Sequence, residues 1–413
     1  MVQVQPPLKV EDPTLVKQES LQNLLLRLSF FNLLIISAIG LLVRSLPFID
    51  HFPLEYKNLL HGHSHFAFGG WVMPALIALL MMNIPELSQK VAYKHWRNIS
   101  ILLMGSAYGM LFSFPVQGYK AVSITFSTLS IGAGYYLAIV LWKALRTVDN
   151  RVSYSFIKWG LFYMAISAIG PFATGPLIVM GKQSTPIYFD SIYFYLHFQY
   201  NGFFTFFVMA LIYKSLERSG KTRYGRKVFG LLNAACIPTF ALSVIWNQPP
   251  IVFNIIGGVG AILQVIAVIY LIRDMQIIPW LKNAGILLKI SIGAFCLKVL
   301  LQLLSALPVF ALMGYHQRNL VIAYLHLILL GFISLFIFSM VFDSFQANRP
   351  TRMGYSLFLF AFVTTEVLLV ASPFIAIRSL PALLLIFTFF FPLGISYMNY
   401  GLGKSLQFRF HLN

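Results

Sequence analysis

Residues 59–80 read LLHGHSHFAFGGWVMPALIALL and set three histidines, His61, His63 and His65, at the mouth of a long apolar run. Two more lie within apolar runs: His197 in YLHFQYNGFFTFF and His326 in YLHLILLGF. An imidazole in hydrocarbon is costly unless something takes up its nitrogens. Neutral histidine binds metals and haem iron, so ligation is the chemistry these residues point to. His61 and His65 are four apart and share a helix face, while His63 points nearly to the opposite side. One iron can take His63 or the outer pair, but hardly all three. Tyr193, Tyr195 and Tyr200 surround His197, and Tyr200 or Asn201 is placed to hydrogen-bond a ligand on a metal held there. Lys298 and Glu366 fall deep inside later apolar runs, where a charge needs a partner or a neutral form. They read either as a proton or ion path, or as a Lys–Glu pair or two neutral groups.

The elements that carry these residues follow from composition. Of 413 residues, 58% are hydrophobic and only 10% charged, more apolar sequence than a soluble core needs. Runs of at least roughly 20 residues, long enough to span a bilayer, fall near 24–46, 60–82, 98–117, 121–145, 156–180, 190–214, 228–246, 251–272, 286–311, 319–342, 354–377 and 380–403. The expected fold is an all-α integral membrane protein of twelve transmembrane helices, without an internal repeat or a soluble domain. Residues 1–23 read as a cytoplasmic N-terminal segment, 24–403 as the membrane domain and 404–413 as a cytoplasmic tail. Glu11, Asp12 and Glu19 precede the first run, with no small-residue cleavage site, so no signal peptide is expected.

The net charge of +18 lies in short loops between spans, which excludes a nucleic-acid surface. Lys214, Arg218, Lys221, Arg223, Arg226 and Lys227 crowd the loop after the sixth run. The positive-inside rule then places both termini in the cytoplasm, as in a prokaryotic-type inner membrane. Cys236 and Cys296 lie within apolar runs, arguing against a disulfide or a thiolate metal site, and no CxxCH encodes covalent haem.

With that orientation, even-numbered spans run from outside to inside. His63, His197 and His326 then sit about three to seven residues into the second, sixth and tenth spans, roughly 5–11 Å below the outer boundary. Histidines serving separate structural needs would have no reason to agree in depth.

This arrangement resembles the catalytic subunit I of the haem-copper oxidase and nitric oxide reductase superfamily, nearest its C-type branch. Met73-Pro74 follows His63 by the family's spacing, with a family-like FAFGGW between, and Gly331 stands five residues after His326. The resemblance implies that His63 and His326 bind a low-spin haem, b-type by expectation. His197 matches the family's ligand to copper or non-haem iron, with His61 and His65 as further candidate metal ligands. Tyr324 occupies the place of the reactive haem's histidine, and tyrosinate can bind haem iron; Tyr324 and Tyr200 are the candidate catalytic residues. The seventh span ends SVIWNQPPIVFN, without the family's His-His pair.

Three functions fit this reading. One is a haem protein that transfers electrons, senses gas, or handles haem or copper. Another is an active oxygen or nitric oxide reductase with a rebuilt binuclear site. The third is a twelve-span secondary transporter. A haem protein of this kind would take electrons from a quinol or a separate cytochrome, with small membrane subunits as further partners. On these grounds we expect one haem per chain and little oxygen reduction.

Overall fold

The structure is a computed structural model that describes residues 12–410, so the outermost parts of both terminal segments lie outside the described residues. Within them every regular element is a helix. We number the main helices α1 (Pro13–Ser45), α2 (Tyr56–Asn83), α3 (Tyr93–Gln117), α4 (Ala121–Leu145), α5 (Val152–Val179), α6 (186–218), α7 (Gly225–Cys236), α8 (Val252–Asp274), α9 (Ile286–Leu304), α10 (Arg318–Phe345), α11 (Arg349–Ala371) and α12 (Leu380–Lys404). Short helices Pro85–Ser88, Ile277–Asn283 and Pro308–His316 lie in the connections.

Ten of the helices are long and apolar enough to cross a membrane, so the chain is a multi-pass membrane protein. The two that fall short, α6 and α7, do so for different reasons. α6 is helical throughout 186–218, but His197, Gln199 and Asn201 dilute its apolar character. α7 ends at Cys236 because Pro238 cannot continue the backbone ladder, and the chain runs on as 3₁₀ turns, Pro238–Ser243 and Ile245–Asn247. The N-terminal boundary also moves. Asp12 accepts from the Thr14 amide at 2.8 Å with Pro13 at the first helical position, so α1 starts well before its apolar stretch.

α2, α6 and α10 form the centre. Phe68 of α2 meets Phe204 of α6 edge-on at 5.3 Å, and Trp71 of α2 lies 5.8 Å from Phe338 of α10. The Trp71 Nε1–H donates to Ser334 Oγ of α10 at 2.9 Å. The short helix Pro85–Ser88 that follows α2 is tied to α6 by an ion pair between Glu86 and Lys214.

Each central helix loosens into a π-helical segment just after its histidines: Ala67–Val72 in α2, Phe198–Phe204 in α6 and Leu327–Ser334 in α10. A π-turn leaves backbone groups out of register, and in a bilayer they need other partners. Here side chains supply them. Asn32 of α1 donates to the Gly70 carbonyl at 2.7 Å, and Ser291 of α9 donates to the Phe332 carbonyl at 2.7 Å. Thr205 and Ser334 reach back five residues to the Tyr200 and Leu329 carbonyls, at 2.6 and 2.7 Å.

The π segments expose a repeat where none is expected from the sequence. His65 to Gly70, His197 to Gly202 and His326 to Gly331 share one spacing, and Trp71, Phe203 and Phe332 follow the glycines. α6 and α10 also share Tyr-Leu-His, at 195–197 and 324–326, where α2 has His-Ser-His.

Candidate functional site

The histidines fall into three groups. His61 and His65 share the face of α2 turned to α3. The His65 ring stacks on Phe114 at 4.4 Å, and its Nε2 is paired with the Tyr119 hydroxyl at 2.8 Å. The His61 ring meets Tyr119 edge-on at 4.8 Å. These two are packed into an aromatic cluster away from His63.

His63 lies on the opposite face of α2, against α1. A Cβ at Gly40 would come 3.2 Å from His63 Cε1, so a glycine there lets the ring lie against the α1 backbone. His63 Nδ1 is on this sealed edge, where the Ile36 carbonyl is the neighbouring acceptor. The ring is within electrostatic reach of His326 on α10. His326 Nδ1 is likewise sealed and faces Glu366 Oε1 of α11 at 3.5 Å.

Both rings therefore turn Nδ1 toward a protein acceptor. Neither Nε2 has a hydrogen-bond partner, and neither is sealed from space. Ligating histidines adopt this arrangement when a carbonyl or carboxylate fixes the ring by one nitrogen and leaves the other for the metal. Two imidazoles on α2 and α10, each with Nε2 unengaged, are a donor set that would fit a low-spin haem iron. Both side chains are half-buried.

His197 is built differently. It is fully buried on α6, and its Nε2–H donates to the Cys236 carbonyl at 2.8 Å. A carbonyl only accepts, which fixes the proton on Nε2. Nδ1 then accepts from Asn201 Nδ2 at 3.1 Å and from Ser243 Oγ at 3.3 Å. Both nitrogens are engaged within the protein. Tyr200 lies beside it, ring centres 6.3 Å apart, and neighbours Ser243. Tyr324 of α10 is within electrostatic reach of Tyr200. The structure thus groups His197, Tyr200 and Tyr324, but does not bring His61 or His65 to them. Among the described residues no three His, Cys, Asp or Glu side chains gather as a metal set. This donor set does not fit copper or non-haem iron.

The Lys–Glu pair considered for Lys298 and Glu366 does not form. Glu366 faces His326, with Arg44 of α1 as its nearby cation. Lys298 is 2% exposed on α9, on the Cys236 and His197 side, with Nζ 6.0 Å from the Phe295 ring. Glu366, singled out in the sequence as a charge within the membrane, lies beside His326, a placement that spacing did not give. Its only signal was its charge within an apolar run, which does not identify a partner.

No protein-family model matches the chain, and no curated protein matches it.

Proposed function

We propose that the chain is an electron-transferring haem protein of the membrane, with one low-spin haem held between His63 and His326. The observation that carries this reading is the matched pair of rings, each with Nδ1 turned to a protein acceptor and Nε2 left free. A twelve-helix bundle of the haem-copper oxidase subunit I type, with both termini cytoplasmic, is the arrangement it implies. The resemblance in spacing around His63, Met73-Pro74, His326 and Gly331 supports it.

Bound between two histidines, a b-type haem would supply one-electron redox chemistry with no open iron position. The protein's part is to orient the two imidazoles and keep water from their sealed edges. Gas binding or oxygen reduction would need a second centre. The engaged nitrogens of His197 and the tyrosine at position 324 weigh against one, and with it against a reductase or a copper-handling role. Electrons would come from a quinol or a separate cytochrome.

The visible spectrum of the purified protein tests this. A Soret band that sharpens and shifts with dithionite is the expected result, with one haem per chain by pyridine haemochrome and little oxygen uptake with a reduced donor. Absence of a haem spectrum would favour transport. Two haems per chain with sustained cyanide-sensitive oxygen uptake would restore the reductase reading.

A further inference from the structure

Glu366 stands on α11, outside the pair of helices that carry the two histidines, yet its Oε1 is sealed from solvent and faces His326 Nδ1 at 3.5 Å. Neither atom has another hydrogen-bond partner. His63 has no such neighbour; the acceptor beside its ring is the neutral Ile36 carbonyl of α1. The two rings therefore face unlike groups, one a carbonyl and the other a carboxyl. A carboxylate in this position needs compensation, and Arg44 of α1 lies within electrostatic reach of both Glu366 and His63.

We infer that Glu366 is a positioning residue for His326, which orients the ring through Nδ1 and makes this histidine the stronger electron donor of the pair. The inference rests on the haem reading above. A carboxylate that accepts from Nδ1–H pushes electron density to Nε2 and raises ligand basicity. Its negative charge, in a medium of low dielectric, also favours the ferric over the ferrous state. Glu366 thus lowers the potential of the site, and the asymmetry between the two ligands is built by α1 and α11 rather than by α2 and α10.

The test uses full-length protein purified with its haem, as wild type, Glu366→Gln and Glu366→Asp. The reading is the midpoint potential from a spectroelectrochemical titration, together with the low-spin absorption bands. The glutamine keeps the shape and an acceptor oxygen but removes the charge. The expected result is a retained low-spin spectrum with a raised midpoint in the glutamine variant, and a midpoint closer to wild type in the aspartate variant. Loss of the low-spin bands in the glutamine variant with retention in the aspartate variant also supports the inference, because charge then decides loading. A glutamine variant with the wild-type midpoint overturns it. Loss of the bands in both variants overturns it too, because packing then decides. A wild-type protein without haem overturns the haem reading itself, and this inference with it.

Discussion

A histidine inside a membrane helix bundle is read by what its two nitrogens touch. His197 and His326 have the same spacing to a glycine and similar depth in the sequence, yet the structure treats them in opposite ways. His197 spends both nitrogens on Cys236, Asn201 and Ser243. His326 keeps one free and presents the other to Glu366. The His197→Ala variant should therefore keep the low-spin spectrum and lose thermal stability in detergent. The Asn201 amide would be left buried and unpaired, a cost of roughly 1–3 kcal/mol, nearer the lower end inside a membrane protein, while the Cys236 carbonyl would keep only the Thr239 hydroxyl as donor. Loss of the low-spin bands in this variant, with stability unchanged, would mean that the ligand pair is misassigned. The choice among His61, His63 and His65 was open from spacing alone, since helix geometry separates the two faces without saying which faces inward. Gly40 and the Phe114–Tyr119 cluster, which decide the packing, come from other helices and carry no local signal.

At the scale of elements, the three π segments are where sequence reading reached least far. Apolar runs set most helix limits: α4 runs Ala121–Leu145, as its apolar run does. A π-turn has no propensity signature of its own and depends on partners such as Asn32 and Ser291 on other helices. Two glycines of the repeat, Gly202 and Gly331, sit where the central helices meet their neighbours, while Gly70 packs against Phe66 of its own helix. A Cβ at Gly202 would come 2.5 Å from Tyr163 Cβ, and one at Gly331 would come 2.6 Å from Phe362 Cζ. The Gly202→Ala variant should lose about 1–3 kcal/mol through overpacking, read as a lower unfolding temperature in detergent. Gly293 of α9, with nothing within 4 Å, is the control. Gly293→Ala should be neutral or stabilising, by up to about 1 kcal/mol from helix propensity. Equal effects at the two positions would remove the close-packing account of the π segments.

For the whole molecule, composition and charge made the membrane class legible, because no soluble fold accommodates so many apolar runs. The number of spans was less legible. Ten helices meet the length and hydropathy expected of a crossing, and the centre of the bundle contains one that does not, α6, because a polar site dilutes its sequence. α7 is shortened by Pro238. If α6 and α7 both cross, Lys182 and Lys221 lie on opposite sides of the membrane. Both residues are exposed, and the other native cysteines can be removed. Lys221→Cys should then react with an impermeant maleimide only from the cytoplasmic face, and Lys182→Cys only from the outer face. Labelling of both from one face would refute the twelve-span arrangement.

The proposed haem site requires that His63 and His326 share one iron. The most direct measurement is the reduced-minus-oxidised spectrum of folded, purified His63→Ala and His326→Ala proteins beside the wild type. Low-spin bands are expected in the wild type, and each single substitution is expected to abolish them. Retention of unchanged low-spin bands in both variants would contradict this pairing.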